Sequence, residues 1–262
     1  MLPNTKIGFL IFALIYFSII IAEAWYSKKK NLNLYNYKDS ALNLFLGLLV
    51  VVTRIFFDVI LFSIWATFFH FSFFKIDNSL INWMILFICN EFIYYWYHRF
   101  SHHNRLLWAI HVNHHSSTKL NLLTAARVPV FSIIIQGLFW SPLLLIGFQP
   151  YMVFIILQIG FGLTAFQHIR IMGNLPLFEY VFNSPALHEV HHANNPEYIN
   201  HNFGLVLSIF DRMFGTLKSK NENIPITYGI TNNINTHNPV LVIFHEWIAI
   251  VKDLKKKYLR NN

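Results

Sequence analysis

Tyr94-Tyr-Trp-Tyr-His98-Arg-Phe-Ser-His102-His-Asn-Arg-Leu-Leu-Trp-Ala-Ile-His111-Val-Asn-His114-His115 is the stretch on which the reading of this chain turns. It closes an apolar segment with two histidine clusters, His98-x-x-x-His102 and His111-x-x-His114-His115, and a third, His188-x-x-His191-His192, follows downstream. On a helix, residues i, i+3 and i+4 are surface neighbours, so each cluster presents two or three imidazoles from one face. Eight such ligands exceed the roughly four that a zinc ion takes. Two six-coordinate metals would use about this many and keep positions open for oxygen. Polar residues at helix ends near lipid headgroups are the plainer explanation of a lone histidine, but three clusters of matched spacing argue for a metal site at a membrane.

The composition points the same way. The 262 residues are 55% hydrophobic, 18% aromatic and only 12% charged, more apolar and less charged than a soluble domain. The net charge of +8 does not indicate nucleic acid, because Lys and Arg cluster at the ends of apolar spans rather than on a continuous basic face. A single cysteine, Cys89, lies within an apolar run, which excludes an internal disulfide and a cysteine-based zinc site.

The apolar runs give an all-α integral membrane protein with about four to five transmembrane helices. Ile7 to Tyr26 is long enough to cross a hydrocarbon core of roughly 30 Å, and Lys28-Lys29-Lys30 follows it. An N-out anchor is preferred over a cleaved signal peptide, for which Ala22-x-Ala24 is the competing cue. Ala41 to Phe74, interrupted by Arg54, Asp58 and His70, is too long for one upright span and predicts a tilted or broken crossing. Arg54 and Asp58, four residues apart, can pair at depth. Leu80 to Tyr97 returns and delivers the first cluster. Val128 to Phe148 and Tyr151 to Phe166 predict a tight hairpin across Gln149-Pro150.

All three clusters then share one side. If that side is cytosolic, 17 of the 20 Lys and Arg residues lie there, with Lys6 and Lys75 outside and Arg54 in a span, a strong positive-inside bias. One domain, 1–262, is expected: an anchor and basic loop (1–40), a membrane core with the first two clusters (41–166), and a cytosolic helical cap with the third (167–262). The site would face the cytosol from a bacterial inner membrane or the endoplasmic reticulum.

Around the clusters, Glu91-x-x-x-Tyr95-x-x-His98-x-x-x-His102 forms one helical stripe. Glu91 either orients a ligand histidine through its second ring nitrogen or pairs with a neighbouring helix. Ser184-Pro185 supplies an N-cap and first-turn proline for a helix carrying His188, His191 and His192. His168, at the end of the fifth span, is a ninth ligand or a lone interfacial histidine. His188-Glu189-Val190-His191-His192 also satisfies H-E-x-x-H, so a membrane-embedded zinc metallopeptidase with Glu189 as general base is the alternative; it leaves the five upstream histidines without a task. Arg99 and Arg127 read as snorkelling arginines or headgroup anchors, and Asp211 with Arg212 as a structural pair in the cap. His70, His237 and His245 are not assigned as ligands. Lys252 to Lys257 reads as a basic tail near anionic headgroups.

The run from Tyr94 to Ser117, the segment Asn121-Leu-Leu-Thr-Ala-Ala-Arg127, and the later Asn183-Ser-Pro-Ala-Leu-His-Glu-Val-His-His192, continuing through Asn202-Phe203-Gly204 to Phe210-Asp-Arg-Met-Phe-Gly-Thr216, together resemble the fatty acid hydroxylase and sterol desaturase superfamily. The Ser116-Ser117 and Asn121–Arg127 segments look most like its alkylglycerol monooxygenase branch. The resemblance covers roughly residues 39 to 250. It departs at His103, where the branch often has an acidic residue, and at Phe203, where the family has tyrosine.

The resemblance implies a membrane-bound non-haem di-iron oxygenase. Its iron ligands would be His98, His102, His111, His114, His115, His188, His191 and His192, with His168 as the additional histidine between the second and third boxes. Imidazole suits iron, zinc and copper alike, so the number of sites and the resemblance, not ligand type, select iron. The expected reaction is O2-dependent hydroxylation or desaturation of an aliphatic C–H bond in a lipid. The chain has no haem domain, cysteine cluster or G-x-G-x-x-G fingerprint, so electrons must come from a separate reductase, ferredoxin, cytochrome or diffusible tetrahydropterin.

Overall fold

Helices make up nearly all regular structure in the computed structural model, which describes residues 3–173 and 175–261. Among the described residues, β-pairing is limited to the isolated bridges Phe182 with Leu207 and Ala193 with Tyr228. The first helix, α1 (Pro3–Lys29), contains the expected anchor and ends on Lys28 and Lys29; the Lys6 side chain lies outside the described residues. Glu23, fully buried near the end of α1, accepts from Tyr35 Oη at 2.6 Å, Leu122 N at 2.8 Å and Arg170 N at 2.7 Å. Three donors to one carboxylate compensate its burial and fasten α1 to the rest of the chain.

Asn36 caps α2 (Tyr37–His70), accepting from the backbone N–H of Lys38 and Asp39. Its 34 residues run unbroken, about 51 Å at 1.5 Å per residue, so the long apolar run is one continuous helix. Arg54 Nε donates to Asp58 at 3.3 Å, as their spacing predicted, and Arg54 Nη1 also reaches Gln158 Oε1 at 2.8 Å. Only 17% of the most apolar window of α2 is buried, and Leu48, Val51, Ile55, Phe56 and Val59 are all exposed. An exposed apolar surface of this extent marks a face made for lipid or a partner. Among the described residues, α2 is the one helix long and apolar enough to cross a membrane.

Packed against α2 are α5 (Ser132–Ile146) and α6 (Pro150–Phe166), and α3 (Leu80–His103) packs in turn on both of these. Trp65, Leu86, Trp140, Leu144, Met152 and Leu157 form the core between them. Both indoles are satisfied, Trp65 Nε1 by Gly137 O and Trp140 Nε1 by Asn90 Oδ1, each at 2.9 Å. The hairpin from α5 to α6 turns at Gly147, whose φ of 124° is open to glycine, and a side chain there would strike Phe74 O. Phe73 N donates to Leu145 O at 2.7 Å, which sets the hairpin tip beside the turn between α2 and α3. Both turns therefore lie at one end of the bundle, and the histidine clusters lie at the other.

Two expectations change. The helix expected from Val128 begins only at Ser132, because a 3-10 turn (Leu122–Ala126) and Pro129 occupy the approach. With 15 and 17 residues, α5 and α6 are shorter than the roughly 20 residues of an upright crossing. The region after His168 is largely irregular, with only the short helices α7 (Pro176–Glu179), α8 (Pro185–His191) and α9 (Ile209–Met213) before α10 (Pro239–Asn261). Its Asn and Pro residues favour turns, and Asn200 and Asn202 adopt left-handed φ of 65° and 57°. The expected basic tail is the end of α10, which packs Val242 on Leu42 and Leu46 of α2.

Candidate metal centre

Asn104 ends α3 and caps α4 (Arg105–His115), accepting from Leu106 N and Leu107 N. The first two boxes thus lie on consecutive helices that turn back on each other. For the third box, Ser184 Oγ accepts from Leu187 N at 3.1 Å and Pro185 opens α8, as its sequence predicted. These elements gather nine histidines into two groups: His98, His102, His111, His115 and His191, and separately His114, His168, His188 and His192. Helical spacing explains the division. The i,i+4 pair of the second box, His111 and His115, joins the first group, and His114 turns to the other. In the third box the assignment reverses, with His188 and His192 in the second group and His191 in the first.

Within each group the ring nitrogens converge. His111 Nε2 lies 3.2 Å from both His98 Nε2 and His115 Nε2, and His188 Nε2 lies 3.2 Å from His168 Nε2 and 3.1 Å from His192 Nε2. Two nitrogens bound at about 2.1 Å to a shared ion, with ligand angles near 90–100°, sit about 3.0–3.2 Å apart. Among the described residues, buried His102 Nε2 and His191 Nε2 have no hydrogen-bond partner, as metal-directed atoms would not. The opposite ring edge is held by backbone in four of the nine. His98 Nδ1 meets Phe203 O and His191 Nδ1 meets His201 O, each at 2.9 Å, while His168 Nδ1 meets Thr164 O at 3.2 Å and His114 Nδ1 meets Arg127 O at 3.3 Å. Donation from Nδ1–H fixes the tautomer that leaves the Nε2 lone pair for a metal.

Burial is the largest cause holding all nine imidazoles below the ordinary histidine range, His114 to about 4 and His191 to about 3. At neutral pH both groups present uncharged nitrogen donors, which fits one metal ion each. His115 and His192 stack with centroids 4.5 Å apart, so the groups adjoin. Two cavities reach them. One of ≈190 Å³ is bounded by Val50, Arg54, Gln136 and Phe161 from the bundle and touches His111, His114, His168 and His188. The other, ≈360 Å³, opens from the cap side over His102, His115 and His191 beside Trp108.

Several residues take positions other than those expected. Glu91 does not hold a histidine: its Oε2 accepts from Val206 N at 2.9 Å and Leu207 N at 2.8 Å, securing the cap loop to α3. Glu189 is not placed as a general base. It pairs with Arg170 and Lys220 and accepts from Tyr228 Oη at 2.8 Å, lining a separate ≈560 Å³ cavity that no box histidine borders. The two histidines of the H-E-x-x-H match, His188 and His192, therefore join one group and the intervening His191 the other, while Glu189 lines a different cavity. Arg127 does not snorkel; it is 2% exposed and bonded to Asp39 at 2.8 Å. Arg99 lies over Trp96 and donates to Tyr95 Oη. Asp211 and Arg212 do not pair with each other: Asp211 accepts from Phe203 N and Gly204 N, each at 2.7 Å, and Arg212 stacks over Tyr180. Asp211 thereby fixes the loop whose Phe203 carbonyl receives His98. The backbone acceptors were hidden in the sequence because any residue type supplies a carbonyl.

The fatty acid hydroxylase profile matches residues 83–216, just over half of the chain, and spans all nine histidines. Human (Homo sapiens) alkylglycerol monooxygenase is 38% identical over 174 residues, 66% of this chain and 38% of that protein. An ornithine lipid hydroxylase of Rhizobium tropici is 31% identical over 149 residues, 55% of this chain and 44% of its own. A very-long-chain aldehyde decarbonylase of Arabidopsis thaliana is 27% identical over 146 residues, 51% of this chain and 23% of its own. The chain thus spans less than half the length of these relatives. No solved structure matches it. With the histidine spacing and the profile in agreement, this chain belongs to the fatty acid hydroxylase family.

Proposed function

We propose that the protein is a membrane-bound non-haem di-iron oxygenase that oxidises an aliphatic C–H bond of a lipid. The observation that carries this reading is the pair of buried all-histidine groups, five and four donors, with a cavity that leads from the apolar bundle to the four-histidine group. Bound iron would supply O2 activation. Hydroxylation then balances as R–H + O2 + 2 electrons + 2 protons giving R–OH + H2O, and desaturation as R–CH2–CH2–R′ + O2 + 2 electrons + 2 protons giving R–CH=CH–R′ + 2 H2O. The two electrons come from an external donor, a ferredoxin, cytochrome or other reductase or a diffusible tetrahydropterin.

The chain's own residues do three things for this chemistry. Histidines held by backbone carbonyls keep their metal-facing nitrogens oriented; Val50, Phe161 and their neighbours admit an alkyl chain; burial excludes bulk water from the reacting carbon. The relatives named as an alkylglycerol monooxygenase and an ornithine lipid hydroxylase act, by those names, on lipids, which favours a polar lipid as substrate. The reading places a multi-pass protein with its histidine end and cap in the cytosol. Comparing lipids from cells expressing the wild type and His111→Ala tests it. A product heavier by one oxygen or lighter by two hydrogens, absent from the variant, supports the assignment; the same product formed by the variant, or by iron-free protein, would overturn it.

A further inference from the structure

We propose that the buried Asp39–Arg127 ion pair is the positioning element for His114 and thereby controls occupancy of the four-histidine group; this rests on the metal-centre reading above. Three nitrogens of the Arg127 guanidinium are engaged. Nη2 donates to Asp39 Oδ1 at 2.8 Å, Nε to Asn43 Oδ1 at 2.8 Å and Nη1 to Ser116 Oγ at 2.9 Å. Asp39 Oδ2 in turn accepts from Ser117 Oγ at 2.8 Å and Asn43 Nδ2 at 3.1 Å. Asp39 and Asn43 sit on the first turns of α2, and Ser116-Ser117 directly follow His114-His115, so the network joins α2 to the end of α4. The backbone of the same Arg127 accepts from His114 Nδ1. Its position is set from the other side by the 3-10 turn, where Asn121 and Thr124 cap each other.

The network concentrates on the weaker group. His111 and His115 reinforce each other as an i,i+4 pair, whereas His114 enters the four-histidine group as the sole donor from α4. Losing its orientation leaves that group three histidines, and the other keeps five. A buried ion pair is seldom retained for stability alone, since apolar replacements often match it. A fork that fixes a ligand's acceptor carbonyl gives it a specific task, and loss of such outer partners typically weakens metal binding about 10–100-fold.

The experiment titrates purified, metal-free full-length protein with Fe(II) under anaerobic conditions, and in parallel with Co(II), whose visible absorption reports its coordination. Wild type is expected to bind two equivalents tightly. Arg127→Lys, which keeps the charge but loses the fork, and Asp39→Asn should retain one tight equivalent and bind the second about 10–100-fold more weakly. His114→Ala combined with Arg127→Lys should lose no more than His114→Ala alone, and His102→Ala combined with Arg127→Lys should weaken both equivalents. If Arg127→Lys does not fold, Ser116→Ala removes one arm of the fork and should shift the second equivalent in the same direction. Single variants Arg127→Lys, Asp39→Asn or Ser116→Ala that keep two tight equivalents, or weaken both equally, overturn the proposal while the metal centre stands. Wild type binding fewer than two equivalents overturns both.

Discussion

A histidine buried beside other histidines is stable only in its neutral form, because neighbouring imidazolium charges repel and burial penalises each of them. His114, held at about 4, stays neutral in the fold well below the ordinary histidine value near 6.5. In the unfolded chain these rings take up protons first as the pH falls, so protons favour the unfolded state. The metal-free protein should therefore lose stability between about pH 6.5 and 4, seen as a falling melting temperature; a flat or rising profile would contradict the buried, neutral cluster. Glu189 gives a second test at this scale. Glu189→Gln leaves Arg170 and Lys220 without their carboxylate, which should destabilise the cap by about 3 kcal/mol while lipid oxidation persists in folded protein. Full stability with abolished activity would restore the general-base reading.

At the scale of elements, α3 carries His98 and His102 at its end and anchors the cap from its middle. Glu91 is 1% exposed and accepts two backbone N–H groups of the loop at 206–207. Leaving these two backbone N–H groups without an acceptor costs about 1–3 kcal/mol each, so Glu91→Ala should destabilise the protein by at least about 2 kcal/mol in denaturant titration. Hydrogen exchange should accelerate at 203–208, where Phe203 supports His98. For α10, Arg105 meets Glu246 at 2.8 Å and Asp253 at 2.7 Å, but these groups are exposed and screened, so Arg105→Ala should leave the melting temperature nearly unchanged. Val242→Asp, which puts a charge into the contact with Leu42 and Leu46, should release the helix and expose it to limited proteolysis.

For the whole molecule, the arrangement that matters is polarity along the bundle. The turns at 71–79 and 147–149 lie at one end and the histidines at the other, with an exposed apolar belt on α2 between them. A cysteine placed at Ser79, in a Cys89→Ala background, should react with an impermeant thiol reagent from the side opposite to one placed at Asn200 in the cap. Labelling of both from the same side would refute the multi-pass reading.

The class of this protein was legible in the sequence. An i,i+3,i+4 histidine code survives in the linear chain because helical periodicity maps spacing onto a face, and the adjoining apolar runs carry the membrane signal in composition alone. Ser184-Pro185 and the Arg54–Asp58 pair were equally readable, since caps and i,i+4 contacts are local. Only the tertiary structure decided how nine histidines divide into five and four, because that depends on how α3, α4, α6 and α8 cross. It also decided that Glu91 holds the cap loop and that Arg127 is buried against Asp39. Those partners lie 115 and 88 residues away, and contacts closed by long-range packing leave no periodicity in the sequence.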